Sequence, residues 1–402
     1  MLRTVKIKIQ PDQSVMLKTM EVYSIVFNRH VDWALENKSF NKQKAHEALY
    51  AKSREEFPEL PSAMVQCARD NALESIHSII SANRNKLKKK KKKFSVDDLW
   101  NIENPPRKRP RSAIRYDKRT LTLRGHQMTM STSAKRFKQI LEIPEYFKHI
   151  VDTWKFKGGQ LSFDGSQFWL HLIFETNSPE LLKGESVTGV DRGIYNIATT
   201  SDGKKYSGKR LMGIRRKHLH NRQTLQAKGT RSAKRRLKRM KGKEKRFSKQ
   251  ENHVISKQIV QHAGNIIVLE DLSKIEGNKG KKMNKWLSNW KFYEQELFLV
   301  YKAEATGKRI EFVDARYTSQ KCSACKYVSK KNRSGSKFCC VRCGYTDHAD
   351  VNAAKNIRDN YIISTLECRA GLNASHQSDD APGNAARRVQ SKQAPSLVLG
   401  VS

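Results

Sequence analysis

Four cysteines late in the chain are spaced for metal chemistry. Cys322 and Cys325 form one CxxC pair, Cys340 and Cys343 a second, with fourteen residues between the pairs. Two such pairs suit a single tetrahedral zinc ion, because each pair makes a tight knuckle and the intervening hairpin gathers the thiolates. Four thiolates close the coordination sphere and leave no position for water, so the chemistry is structural rather than catalytic. Such a site fixes a small hairpin that could not bury a core by itself. Cys339 abuts Cys340 and could replace it as a ligand; the CxxC spacing favours Cys340.

A second set of chemically capable residues is acidic. Asp191 ends the apolar run VTGVD, Glu270 closes the continuous apolar run NIIVLE, and Asp350 opens a helical stretch carrying Asn352, Ala353, Ala354, Asn356 and Ile357. A run like that before Glu270 belongs in a strand buried on both faces. An unpaired carboxylate there is costly, and a metal ion is the natural reason for it. Each residue also has a plainer use. Asp350 can cap its helix, Asp191 can be a hydrogen-bonded strand residue, and Asp271 can face solvent. Carboxylate ligands select hard Mg²⁺ or Mn²⁺ over zinc. No serine, cysteine or histidine nucleophile constellation competes, and His348 beside Asp350 reads as a supporting or surface residue.

The elements that must position these groups can be traced in order. Val5, Ile7 and Ile9 alternate on an opening strand. Pro11 and Asp12 start a helix carrying Val15, Met20, Tyr23, Phe27 and Val31, and helical patterning runs on to about residue 83. A lysine run follows (Lys86, then Lys88, Lys89, Lys90 and on to Lys93), either a solvated stretch or a backbone-binding one. From about Ile114 short alternating strands appear, among them WKFKGGQLSF and QFWLHLIFE around an Asp164–Gly165 turn. Several short strands with basic loops suggest an oligonucleotide-binding-type β-barrel, which residues 11–112 interrupt as a helical insertion.

VTGVD, YNIATT and a Ser201-Asp202-Gly203 turn form a meander whose first strand ends in an aspartate, as ribonuclease H-like domains begin. Lys204 to Lys249 is densely basic. Ile214, Leu237, Met240 and Phe247 are spaced as the buried stripe of paired helices, and the cationic faces, with Arg235, Arg236 and Arg239, would meet phosphate or remain solvated. In HVISKQIVQHA, Val254, Ile255, Ile259 and Val260 are expected to point inward. A helix through Phe298, Tyr301 and Ala305 and the strand RIEFV lead into the first zinc knuckle. After a last helix to about Leu372, residues 376–402 lack periodicity and read as a disordered tail.

Composition narrows the class of partner. The 402 residues hold 79 Lys and Arg against 39 Asp and Glu, a formal net charge of +40. That excess implies a polyanion, most simply nucleic acid. No apolar run is long enough to span a bilayer, and the N-terminus carries no signal-peptide core, so no membrane partner is expected. Three cysteines outside the zinc set, Cys67, Cys339 and Cys368, have no framework spacing and fit a reducing cytoplasm.

GVDRGIYNIA, IIVLEDL, WKFYEQELFLVYKA, YTSQKCSACK, FCCVRCG and DHADVNAAKNI resemble the signature blocks of the TnpB family, transposon-encoded proteins related to the compact type V CRISPR nucleases. The specific matches cover about residues 187–360. The resemblance implies a multidomain α+β protein: a wedge-like β-barrel (1–10 and 113–180), a helical recognition insertion (11–112), a RuvC-like nuclease domain (181–314 and 347–375) and a zinc-finger insertion (315–346). It implies an Mg²⁺- or Mn²⁺-dependent DNA endonuclease with Asp191, Glu270 and Asp350 as catalytic carboxylates around two ions, and Cys322, Cys325, Cys340 and Cys343 on zinc. The partners would be a guide RNA from the transposon end and duplex target DNA beside a short adjacent motif. The protein would act as a monomer with its RNA in the cytoplasm of a prokaryote, associated with the nucleoid. In related proteins a helix of the insertion reads part of the motif, and SAMVQCARDN is the candidate here, with Gln66 facing a base. A DNA transposase using the same carboxylates and a non-cleaving guided repressor are the rival readings. No clear helix-turn-helix supports the first, and the intact acidic set argues against the second.

Overall fold

A computed structural model describes residues 1–89, 95–272 and 292–369, without the side chains of Lys88, Lys89, Phe292, Cys368 and Arg369. Lys90 to Lys93, the segment before Phe292 and the expected tail at 376–402 lie outside the described residues. The chain divides into two compact units, Met1–Asn177 and Ser178–Ser402.

The first unit opens with strand β1 (Leu2–Ile9), which leads into helices α1 (Gln13–Glu36), α2 (Lys42–Glu56), α3 (Ser62–Lys89) and α4 (Val96–Trp100). Asp12 accepts from the Val15 amide at 2.9 Å and so caps α1, satisfying one of the amides that a helix start leaves without partners. Strands β2 (Ile114–Tyr116), β3 (Leu121–Arg124), β4 (Gln127–Met130) and β5 (Phe137–Ile140) follow, then α5 (Glu145–Thr153), β6 (Lys155–Phe163) and β7 (Phe168–Glu175). They make two antiparallel sheets, in the orders β1-β7-β6-β2 and β3-β4-β5. Alternation does what it must on a half-buried sheet. Val5, Ile7, Ile9, Phe168, Leu170, Leu172 and Phe174 are buried in one core with Met20, Tyr23, Phe27 and Val31 of α1.

The second unit is built on a five-stranded sheet. Its strands are β8 (Val187–Asp191), β9 (Asn196–Thr200), β10 (Lys205–Ser207), β11 (Ile266–Asp271) and β12 (Arg309–Asp314), in the order β10-β9-β8-β11-β12. β8, β11 and β12 run parallel, and β9 and β10 are antiparallel additions at one side. Between β10 and β11 lie helices α6 (Lys209–Lys228), α7 (Arg231–Met240) and α8 (Lys243–His262), and α9 (Phe292–Glu304) precedes β12. The zinc-type segment carries the short strands β13 (Arg333–Ser334), β14 (Lys337–Cys339) and β15 (Thr346–His348), and α10 (Ala349–Arg369) ends the described fold.

Two expectations about buried stripes are corrected. Val254 is 47% exposed, while Ile255, Ile259 and Val260 are buried; a stripe of i, i+4 and i+5 on α8 leaves position 254 on the solvent side. In the basic helices, Ile214, Leu237, Met240 and Phe247 are only half-buried, and the buried apolar residues of α6 and α7 are Leu211, Met212, Leu225 and Ala233.

Helix α10 lies on the sheet at unusually close range. A Cβ added at Gly189, in the middle of β8, would stand 2.2 Å from the Ala354 carbonyl oxygen and 2.7 Å from the Arg358 amide. Ala353, Ala354 and Ile357 are buried at this crossing, so small residues on both partners let backbone meet backbone. The Ala-Ala step in the last signature block and the glycine of VTGVD are two halves of one contact. Gly189→Ala has no room to relax, because the obstructing atoms are main chain. It should cost at least about 1–3 kcal/mol, measured as a lower urea midpoint with an unchanged slope.

Candidate nuclease site and zinc centre

Parallel strands present their C-terminal ends at one edge, the usual place for a site in such sheets. Asp191 is the last residue of β8, Glu270 is the next-to-last of β11, and Asp350 is the second residue of α10. The packing of α10 over β8 brings these ends within electrostatic reach. Asp191 is pushed up to about 8, chiefly by desolvation, then by the charges of Glu270 and Asp350, against the opposing pull of Arg333 and Arg192. Glu270 is raised by burial, with the Thr318 hydroxyl and Arg192 pulling the other way. The edge is therefore a corner of mutually repelling carboxylates removed from water.

Four neighbours steady the corner, and none was singled out by the sequence reading. Asn196 Nδ2 donates to Asp350 Oδ2 at 2.9 Å, and Arg333 Nη2 donates to Asp350 Oδ1 at 3.1 Å. Thr318 Oγ1 donates to Glu270 Oε1. Arg192, whose side chain is 0% exposed, donates from Nη2 to the Glu270 carbonyl at 2.6 Å and pairs through Nη1 with Glu296 Oε2 at 3.1 Å. That buried pair ties the ends of β8 and β11 to α9. Asn196 and Thr318 lie inside the quoted blocks GVDRGIYNIA and YTSQKCSACK. The polar residue just beyond a strand-end carboxylate was the available signal. Arg333 sits in the cysteine-bearing hairpin and carried none. His348 Nδ1 accepts from the Asp350 amide at 3.3 Å and so helps start α10.

The thiols are gathered more tightly than the carboxylates. Cys322, Cys325, Cys340 and Cys343 keep their sulfurs within 4.8 Å of one another, the only such group of His, Cys, Asp or Glu ligand atoms among the described residues. Cys322 and Cys343 are 3.8 Å apart, and Cys325 and Cys340 3.5 Å. Cys339, exposed on β14, stays outside the set. The Cys343 amide, with that of Arg342, draws the Cys340 thiol down to about 6 against its desolvation. Amide donors of this kind favour the thiolate that a zinc ion needs. Helix α10 is stitched to the first knuckle by two fully buried asparagines. Asn352 accepts from the Ser323 amide and donates to the Lys321 carbonyl, and Asn356 donates to the Thr318 and Lys321 carbonyls. The thiol cluster and Asp350 thus share one rigid support.

Of the residues proposed to touch nucleic acid, Arg235, Arg236 and Arg239 are exposed on α7. Gln66, half-buried on α3, accepts from Arg119 Nη1 at 2.7 Å, and Arg119 is held in turn by Asp117 at 2.7 Å. Lys88 and Lys89 have no described side chains, and Lys90 lies outside the described residues. A cavity of about 660 Å³ opens among α6, α7 and α8, lined by Arg215, His218, Arg222, Lys238, Lys241 and Glu244.

Residues 292–357, from α9 through both knuckles into α10, match the family described as Cas12f1-like, TNB domain. Over 126 residues the chain is 37% identical to a CRISPR-associated endodeoxyribonuclease Cas12f1 of Sulfoacidibacillus thermotolerans, 30% of this chain and 29% of that protein. Over 255 residues it is 26% identical to TnpB-like protein MJ0751 of Methanocaldococcus jannaschii, covering 58% and 90%. These likenesses support placing the chain with TnpB-like proteins. It spans about half, or less, of the length of the Cas12f1 relatives it matches. A solved Cas12f1–sgRNA–target DNA complex shares the fold of this chain, with a TM-score of 0.59 at 15% identity over 86% of this chain and 83% of that one.

Two measurements bear on the site directly. Cys340→Ser should lower zinc content and loosen the knuckle, whereas Cys339→Ser should leave zinc at one equivalent by atomic absorption. For Asp191, the folded protein holds a proton more tightly than the unfolded chain. Between about pH 4 and about pH 8 it therefore binds more protons, so apo stability falls as pH rises through that window. Asp191→Asn should flatten this fall and raise the apo melting temperature at pH 8. It should also abolish any stabilisation by added Mn²⁺.

Proposed function

We propose that this chain is a transposon-encoded RNA-guided DNA endonuclease. It would use a guide RNA from the element's end to recognise duplex DNA beside a short motif and cleave it by phosphodiester hydrolysis. The observation that carries this reading is the convergence of Asp191, Glu270 and Asp350, each from a different element, at one sheet edge where desolvation and mutual repulsion raise Asp191 to about 8. Asp191 and Glu270, with raised affinity for protons, are groups that a divalent cation would relieve, and hard carboxylate donors fit Mg²⁺ or Mn²⁺. Two such ions, when bound, would supply activation of water and stabilisation of the leaving oxygen.

The chain's own residues divide the remaining work. Thr318 and Arg192 orient Glu270 through its side chain and its carbonyl. Asn196 fixes one oxygen of Asp350. Arg333 donates to the other and would stand ready to hold a substrate phosphate beside the carboxylates. The four cysteines would hold structural zinc, which keeps Arg333 and α10 in register.

The sheet order β10-β9-β8-β11-β12 supports a ribonuclease H-like core at 181–314 and 347–375, with 315–346 as its zinc-finger insertion. The antiparallel sheets of the first unit support an oligonucleotide-binding-type barrel at 1–10 and 113–180, interrupted by the helical recognition insertion at 11–112. The name of the Cas12f1 relative, an endodeoxyribonuclease, and the guide RNA and target DNA in the solved complex support the substrate and partners. The net charge of +40 suits both, and guide pairing would carry the sequence discrimination.

The test is to purify the protein from cells transcribing its own locus, sequence the RNA that accompanies it, and offer matching duplex with Mg²⁺. Cleavage that needs both RNA and match is the expected result. RNA-independent strand joining would make the protein a transposase, and binding without scission a guided repressor. In the same assay Asp191→Ala should abolish cleavage and leave RNA and DNA binding intact. Arg333→Ala should lower the cleavage rate about 100-fold or more, with zinc content unchanged.

A further inference from the structure

Two of the three carboxylates at the sheet edge are held by side-chain donors. Thr318 donates to Glu270, and Asn196 and Arg333 donate to Asp350. Among the described residues, the Asp191 side chain accepts no hydrogen bond and joins no ion pair. The two arginines whose charges act on it are engaged elsewhere. Arg333 is on Asp350, and Arg192 is on Glu296 and the Glu270 carbonyl.

A donor stands directly across the sheet from it. In the antiparallel pairing of β8 with β9, Asp191 is opposite Thr199. Residues so paired put their side chains on one face, with Cβ atoms about 4.5–5.5 Å apart. Gly189, two residues earlier on β8, meets α10 on that same face, and α10 carries Asp350. Thr199 is 1% exposed, and its Oγ1 is buried without a partner among the described residues. Its two neighbours along the chain put their hydroxyls to use. Thr200 Oγ1 accepts from the Lys204 amide and Ser201 Oγ from the Gly189 amide, each at 3.2 Å. A buried hydroxyl with no partner costs stability, and valine would fill the same volume without that cost. The chain carries this hydroxyl opposite the one carboxylate of the three that lacks a donor.

We propose that Thr199 is the positioning residue of Asp191: its hydroxyl donates to that carboxylate and fixes its orientation when a divalent cation is bound. The inference deepens the nuclease reading and rests on it for the cation. At the spacing of a cross-strand pair, a change of side-chain rotamer is enough to make the bond. A carboxylate that ligates a metal is ordinarily held by such an outer hydrogen bond, and losing one lowers metal affinity about 10- to 100-fold. Thr318 already stands in this relation to Glu270. A neutral donor also steadies Asp191 without cancelling the charge that attracts a cation, which a further arginine would do.

The test uses the full-length protein with Mn²⁺ as the probe, its binding followed by electron paramagnetic resonance, and urea unfolding of the Mn²⁺-free protein. Thr199→Val should weaken Mn²⁺ binding about 10- to 100-fold. Its urea midpoint should equal or exceed the parent's, since the hydroxyl removed has no partner in the metal-free fold. Thr199→Ser keeps the hydroxyl and should bind Mn²⁺ as the parent does. Unchanged Mn²⁺ affinity in Thr199→Val, or a loss that Thr199→Ser shares, would overturn the proposal. A lowered urea midpoint in Thr199→Val would show the hydroxyl serving the fold, and would overturn it too. Asp191→Asn separates the proposal from the reading beneath it. Mn²⁺ bound equally well by that variant would remove the cation site and the proposal together, whereas binding lost there and kept in Thr199→Val removes the proposal alone. Failure of the wild-type, RNA-loaded protein to cut matched duplex, with the Thr199→Val loss of Mn²⁺ still present, would remove the nuclease reading and leave the positioning role standing.

Discussion

Bringing like charges together out of water is the constraint on which the second unit is built. Asp191 and Glu270 are both driven toward their protonated forms by burial, Asp191 further by the charges of Glu270 and Asp350 and Glu270 further by that of Asp314. A fold gains nothing in stability from such a corner, so the surroundings must hold it in place. They do so with polar contacts on every side: Thr318 and Arg192 on Glu270, Asn196 and Arg333 on Asp350. Arg192 is itself buried and depends on Glu296, a pair whose partners must be kept together because either charge alone would be costly. Strand ends and α9 are thereby fixed relative to one another.

The thiol cluster belongs to the same economy of support. A hairpin of this size has few apolar residues to bury, and its described core is Cys322, Phe338, Cys340 and Ala349 with little else. Four sulfurs within 4.8 Å make it a unit once a metal is bound. Through Asn352 and Asn356 the first knuckle grips α10, and through β13 the hairpin delivers Arg333 to Asp350. The thiol cluster is thereby mechanically coupled to the carboxylate corner. The close crossing at Gly189 completes the arrangement, since any side chain there would lift α10 and carry Asp350 away from β8.

The basic helices meet a different demand. α7 exposes Arg235, Arg236 and Arg239 while Ala233 supplies its buried contact. Arg215, by contrast, is buried in α6, donates to Ser248 and stands 3.8 Å from Glu244. Within one lysine- and arginine-rich stretch, most cations serve the surface and one serves the packing of the hairpin.

Local pattern was enough for much of this. The CxxC spacing singled out the four sulfurs that the structure gathers and left Cys339 aside, because ligand geometry is written in short-range spacing. Strand β11 was legible from its unbroken apolar run, and β1 and β7 from their alternation, because burial on two faces or one imposes those periods. Partners chosen across long separations left no such mark. Arg333 and Asp350 are close in sequence, but their contact exists only after the hairpin folds back. Arg192 and Glu296, or Gly189 and Ala354, meet only when helices dock on the sheet. The sequence could name the acidic residues; it took tertiary packing to decide that they share one desolvated corner, because repulsion among them is a property of distance in space and not of order along the chain.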